Sequence, residues 1–168
     1  MIKKTLLAVA LIALAQVSFA AKIVVFDTNE SIMRTQFAQQ TLEAFESTPE
    51  FAKMKADYEG LTADLEILDK ERSSKSMTWG EEDKKKHLAK MEGVAKERNV
   101  AMQRIKAEQN KVLKTIFDKY QPVLKAVVDK YMEEKNIDLM IKREAVAAAL
   151  NDSIDVTQDI ATELDKQK

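Results

Sequence analysis

The chain has 168 residues, 33% of them charged, and a formal net charge of −1 at pH 7. That balance excludes a general nucleic-acid binder, which concentrates positive charge on one face. The absence of cysteine excludes disulfides, and a single histidine leaves no His/Cys metal set.

The first twenty residues read as an export signal. Met1-Ile2-Lys3-Lys4 is a short basic start, Leu6 to Ala15 is unbroken and apolar, and Ser18-Phe19-Ala20 places small residues before a cut between Ala20 and Ala21. The apolar run is too short to hold a membrane as a stop-transfer helix. Loss of Lys3 and Lys4 takes the net charge to −3. The processed product is expected outside the cytoplasm.

Ile23-Val24-Val25-Phe26 is β-branched and aromatic, a predicted strand. Thr28 or Asn29 can cap a first helix ending near Glu46. Ser47-Thr48-Pro49-Glu50 restarts the helix, with Ser47 and Glu50 as a capping box and proline in the first turn. Two apolar ladders follow. Phe51, Met54, Tyr58, Leu61, Leu65 and Leu68 form one; Leu88, Met91, Ala95, Arg98, Met102 and Ile105 form the other. Both step alternately by three and four residues, the spacing of a coiled-coil seam. Paired antiparallel, they share one fold-back point at residue 78, inside the turn-rich stretch Ser73 to Gly80. The expected object is a helical hairpin over residues 49–119, its tip near 74–80, each leg about 40 Å long at 1.5 Å per residue. The outgoing leg should end near Arg72. Glu81-Glu82-Asp83 suits the start of the returning leg, where the helix dipole favours acids.

Beyond the hairpin, Pro122 predicts a kink or break near Tyr120 and Gln121. Asn136 is a stop signal. Ile137 to Ile141 and Ala145 to Leu150 read as two short strands, and Asn151-Asp152-Ser153 as a turn. Asp155 can cap a last helix with the stripe Val156, Ile160, Leu164. The fold class is therefore mainly α with a small β component. A long antiparallel coiled-coil hairpin projects from a small α/β body built from residues 21–48 and 120–168. Three short strands cannot close a core, so the body is expected to oligomerise. Insufficiency alone does not choose three copies over two. The strands Ile23, Val24, Val25, Phe26, Leu139, Met140 and Ile141 would carry assembly.

Taken in order, the signal, Lys22-Ile23-Val24-Val25-Phe26-Asp27, the charged hairpin, Ile137-Asp138-Leu139-Met140-Ile141, Ala145-Val146-Ala147 and Asp155-Val156-Thr157-Gln158-Asp159-Ile160 resemble the Skp (OmpH-like) periplasmic chaperone family over essentially the whole processed chain. The resemblance implies a jellyfish-shaped homotrimer whose arms enclose unfolded outer-membrane β-barrel proteins and hold them against aggregation, without nucleotide or other cofactor. Two features depart from it: this chain is not strongly basic, and Pro122 sits in the returning helix.

Nothing in the sequence supports catalysis. There is no P-loop, glycine-rich cradle or nucleophile elbow, and His87 in a lysine-rich helix start reads as a solvated surface residue. Lys70 to Lys90 holds seven positive and four negative residues. Arg72, Lys75, Lys84, Lys85 and Lys86 there are either a solvated helix end or a weak contact with phosphates of a membrane surface or lipopolysaccharide, or with acidic clients. Trp79 is either tucked against the hairpin end or an interfacial contact. Met54, Met91 and Met102 are seam packing or a forgiving client surface. Gly60 and Gly93, nearly opposite each other, are tolerated exposed glycines or a shared soft point. Arg98 faces Tyr58 across the seam, where stacking is expected. The rival to a holdase is a structural or adaptor coiled coil of the envelope with a fixed partner.

Overall fold

A computed structural model describes residues 21–147 and 151–167; the export signal lies outside them. The chain is mainly helical. Strand β1 (Ile23–Phe26) leads to α1 (Thr28–Met33), α2 (Gln36–Glu46), α3 (Pro49–Lys75) and α4 (Glu81–Lys135); then come β2 (Leu139–Lys142), two short 3-10 turns and α5 (Thr157–Asp165).

The first helix is two helices. Asp27, not Thr28 or Asn29, caps α1: its carboxylate accepts the Glu30 N–H. The break falls at Thr35, whose hydroxyl donates to the Ile32 carbonyl at 2.7 Å and accepts the Ala38 N–H at 3.2 Å. One fully buried side chain thus closes α1 and opens α2. Thr48, not Ser47, caps α3 by accepting the Phe51 N–H, with Pro49 in the first turn. Ser47 instead closes α2, so the expected capping box is absent. Phe45 and Phe51 pack across this joint with tilted rings, 4.7 Å between centres.

Helix α4 runs 55 residues, about 80 Å, and continues through Pro122. The expected break does not occur. Pro122 and Asp118, whose carbonyl loses its helical donor, are both on the exposed face, where water can satisfy the orphan. The opposite face carries Ile116, Tyr120, Val127 and Tyr131 into the core, and that burial holds the helix together. Asn136 ends it in the left-handed conformation at φ 50°.

Strand β2 begins two residues later than expected, because Ile137 is buried in the core. It pairs parallel with β1, Ile23 beside Leu139 through Phe26 beside Lys142. The expected strand at 145–150 is corrected over its described part. Ala145 closes a 3-10 turn and residues 146 and 147 are irregular; 148–150 lie outside the described residues. The third segment on the sheet is a single parallel bridge from Val25 to Asp155. Asp155 acts just before α5. It accepts the Thr157 N–H at 2.9 Å and pairs with Arg143, while Val156 holds the cap position.

The core joins both ends of the described chain. Val24, Phe26, Ile32 and Ala38 meet Val156, Ile160 and Leu164 against the buried stripe of α4. Polar ties reinforce it. The Asp27 N–H donates to Thr157 Oγ1, the Val156 N–H to the Val25 carbonyl, and the Gln36 N–H to the Asp165 carboxylate, all at 2.9 Å. Tyr131 donates to Asp159 Oδ2 at 2.5 Å; burial first, then that carboxylate, pushes its phenol well above the usual range and keeps it a donor. Because Pro122 faces solvent and its helix persists, Pro122→Ala should restore one hydrogen bond without disturbing packing. We expect a gain of about 1–3 kcal/mol in denaturant unfolding; a loss would mean that the proline sets the local geometry.

Candidate functional site

The surface most open to a partner is the hairpin made by α3 and α4. Its seam is partly apolar and partly polar. Leu68 is 4% exposed; Phe51, Met54, Tyr58, Leu61 and Leu65 on α3, and Met91, Ala95, Arg98, Met102 and Ile105 on α4, are half-buried. Leu88 does not belong there. It is 52% exposed, and His87 takes its place.

The polar part has a defined geometry. Arg98 donates from its outer guanidinium nitrogen to Tyr58 Oη at 2.9 Å and from Nε to Thr62 Oγ1 at 3.0 Å, with its carbon 5.1 Å from the Tyr58 ring centre. Tyr58 and Arg98 thus face each other, as the ladder pairing requires. Two hydroxyls and a ring face, rather than a carboxylate, receive this cation.

At the tip, the His87 side chain is 10% exposed, not solvated as its lysine-rich context led one to expect. Its Nε2 lies 3.0 Å from the Leu68 carbonyl, and its ring packs on Trp79 at 4.5 Å. Trp79 is half-buried against the hairpin end. Arg72, Trp79 and Lys84 line a pocket of about 360 Å³ with Ser73, Ser76, His87 and Leu88. Lys75, Lys85 and Lys86 do not line it. Most tip cations have a carboxylate on their own helix: Arg72 with Asp69, Lys75 with Glu71, Lys84 with Glu81 and Lys86 with Glu82, at 2.7 to 3.1 Å. Lys75 holds the Glu71 carboxyl below the usual range, and Lys84 does the same for Glu81. Each of these four cations is therefore locally compensated. Met77 stands 94% exposed beside it.

Along the legs, Met54, Leu61, Val100 and Ala101 floor a groove of about 660 Å³, edged by Asp57, Glu97, Lys96 and Arg104. Gly93 forms part of it. A groove of this kind offers apolar contact between charges of both signs. Among the described residues no cluster of His, Cys, Asp or Glu has the arrangement to hold a metal, and no helix is long and apolar enough to cross a membrane.

The geometry is that of a long helical hairpin returning to a small parallel strand pair, and comparison with known families identifies the chain. The family model for outer membrane protein (OmpH-like) matches residues 22–164, and the chain belongs to that family. A crystal structure from Caulobacter crescentus described as an outer membrane chaperone (OmpH-like) is 16% identical, with 88% of this chain and 86% of that one covered and a TM-score of 0.47. No curated protein matches the sequence.

A side chain added at Gly60 or Gly93 would meet nothing within 4 Å, so neither glycine is required by packing. Changing each to alanine should stabilise the hairpin by about 1 kcal/mol per site in thermal or denaturant unfolding. Destabilisation by either change would show that the glycine answers a need other than space.

Proposed function

We propose that this protein is an ATP-independent periplasmic holdase that binds unfolded outer-membrane β-barrel proteins and keeps them from aggregating until they reach the outer membrane. The observation that carries the reading is family membership across residues 22–164. The groove of the hairpin agrees with it. Its apolar floor and mixed charges suit many weak contacts with varied segments better than one tight fit with a fixed partner. No catalytic step is part of the reading.

In this reading residues 1–20 are removed between Ala20 and Ala21, residues 49–119 form the arm, and residues 21–48 and 120–168 form the assembling body. Three copies join through that body. The register pair Ile23 and Leu139 supports the assembly surface: both are strand residues, 44% and 48% exposed, on a two-stranded sheet. The tip, with Arg72, Lys75, Trp79, Lys84, Lys85 and Lys86, makes at most a weak contact with a membrane surface or lipopolysaccharide, because most of its cations are already paired.

The test is dilution of a urea-unfolded outer-membrane β-barrel protein into buffer with and without this protein. We expect suppressed light scattering and a soluble complex whose mass equals three protomers and one client. Unabated aggregation beside a well-folded protein would favour a structural coiled coil with a fixed partner. Ile23→Lys with Leu139→Lys should lower the sedimentation mass of the protein alone to that of one protomer; an unchanged mass would move the assembly surface elsewhere.

A further inference from the structure

The chain holds no cysteine, so its thioethers are the sulfur atoms that an oxidant meets. Of the eight methionines, all but Met1 lie within the described residues, and the fold sets one of them apart. Met33, Met132 and Met140 pack against the core. Met54, Met91 and Met102 are half-buried along the hairpin. Met77 is 94% exposed, in the turn that joins α3 to α4. That turn is built without its side chain. The Ser76 N–H donates to the Arg72 carbonyl at 3.0 Å, and Thr78 gives both its N–H and its hydroxyl to the Lys75 carbonyl, at 2.9 and 2.7 Å. Trp79 packs on His87, with 4.5 Å between ring centres. The residues around Met77 are thus engaged, while its own thioether stands in water.

We propose that Met77 is a reversible oxidation site: a two-electron oxidant of the peroxide class converts its thioether to the sulfoxide ahead of every other described methionine, and the fold carries the change unaltered. In the step, a sulfur lone pair attacks one peroxide oxygen. The S–O bond forms as the O–O bond breaks, and the departing oxygen leaves as water with the two peroxide protons. Sulfur loses two electrons and the peroxide gains them. No side chain has to supply a base, so access of the oxidant to sulfur sets the rate. Met77 has that access, and the seam and core methionines lack it. A sulfoxide in the seam or core would place a polar oxygen among apolar neighbours. At Met77 the new oxygen stands in water and meets no packed surface. What changes is the end of the arm, where a flexible apolar group becomes a polar one. A sulfoxide reductase fed by a dithiol restores the thioether: the oxygen leaves as water and the dithiol becomes a disulfide. The site does not rest on the holdase reading.

The test is brief exposure of the intact protein to dilute hydrogen peroxide, then peptide mass spectrometry with fragmentation that separates Met77 from Trp79. We expect Met77 to gain one oxygen atom at least about fivefold faster than any other described methionine. The same treatment in urea should bring these rates together, because exposure is then equal. Met77→Leu should remove the fast phase and leave the slow ones. Protein oxidised at Met77 alone should keep its thermal midpoint, and a methionine sulfoxide reductase with dithiothreitol should return its mass to that of the untreated chain. Oxidation of Met54 or any other described methionine as fast as Met77, or of Trp79 before it, would overturn the proposal. So would a rate gap that survives in urea, a lowered thermal midpoint or a mass gain that the reductase does not reverse.

Discussion

The parallel pairing of β1 with β2 is the constraint from which the rest follows. Ile23 and Leu139 are neighbours although 115 intervening residues separate them in the chain. A parallel pair obliges the chain to leave from one end of the sheet and return to the opposite end. Here the crossover is not one helix laid on the sheet. It is an outward path of three helices and one 55-residue helix back. Because α4 cannot shorten without moving β2, the outgoing path must match it, and the match is made in two regimes. The last part of α4 packs with α1, α2 and α5 around Tyr120 and Ile116. The first part has only α3 for company.

Those regimes differ in what holds them. Near the sheet, residues such as Ile32, Ile116, Ile160 and Leu164 are fully buried, and each contributes roughly 1.5–3 kcal/mol by leaving water. Along the legs most seam residues are only half-buried, and the surface is laced with i,i+3 and i,i+4 ion pairs such as Lys53 with Asp57. Such pairs contribute a few tenths of a kcal/mol each at best. The legs are therefore specified in register more than they are glued. Arg98 is a clear example: a cation in a seam adds little net stability, but it finds Tyr58 and Thr62 in one alignment and nothing comparable one turn away.

Periodicity made the hairpin legible because a two-helix seam is a local, repeating demand on the sequence. The facing of Tyr58 and Arg98 could be read from ladder symmetry alone. What failed were positions where a tertiary contact overrides local chemistry. Leu88 looked like the seam residue, yet His87 occupies the seam, because the carbonyl of Leu68 and the ring of Trp79 reward an imidazole there; no sequence pattern announces that pairing. Pro122 looked like a breaker, but the buried face of α4 outweighs one lost hydrogen bond on the wet face. Thr35 carried no capping-box partner, and its role became visible only once its hydroxyl was seen buried between two helices. The alanine-rich segment after Glu144 offers Val146 as its single β-branched residue, and the sheet makes one further bridge, at Asp155.

The strand pairing also imposes an order in time. β1 is made before the hairpin, and its partner and the helix that covers it come only after it. Until those residues exist, Val24 and Phe26 have no sheet to join and no α5 to cover them. The hairpin legs are different: their contacts near the tip close short loops and cost little entropy. The arm should zip from its tip inward while the sheet waits, and final closure should be the slow step, as expected when distant segments must meet. A chain arranged in this way stays threadable at its leading end until β2 and α5 have been made. That is a useful property in any polypeptide that must cross a narrow passage before it folds.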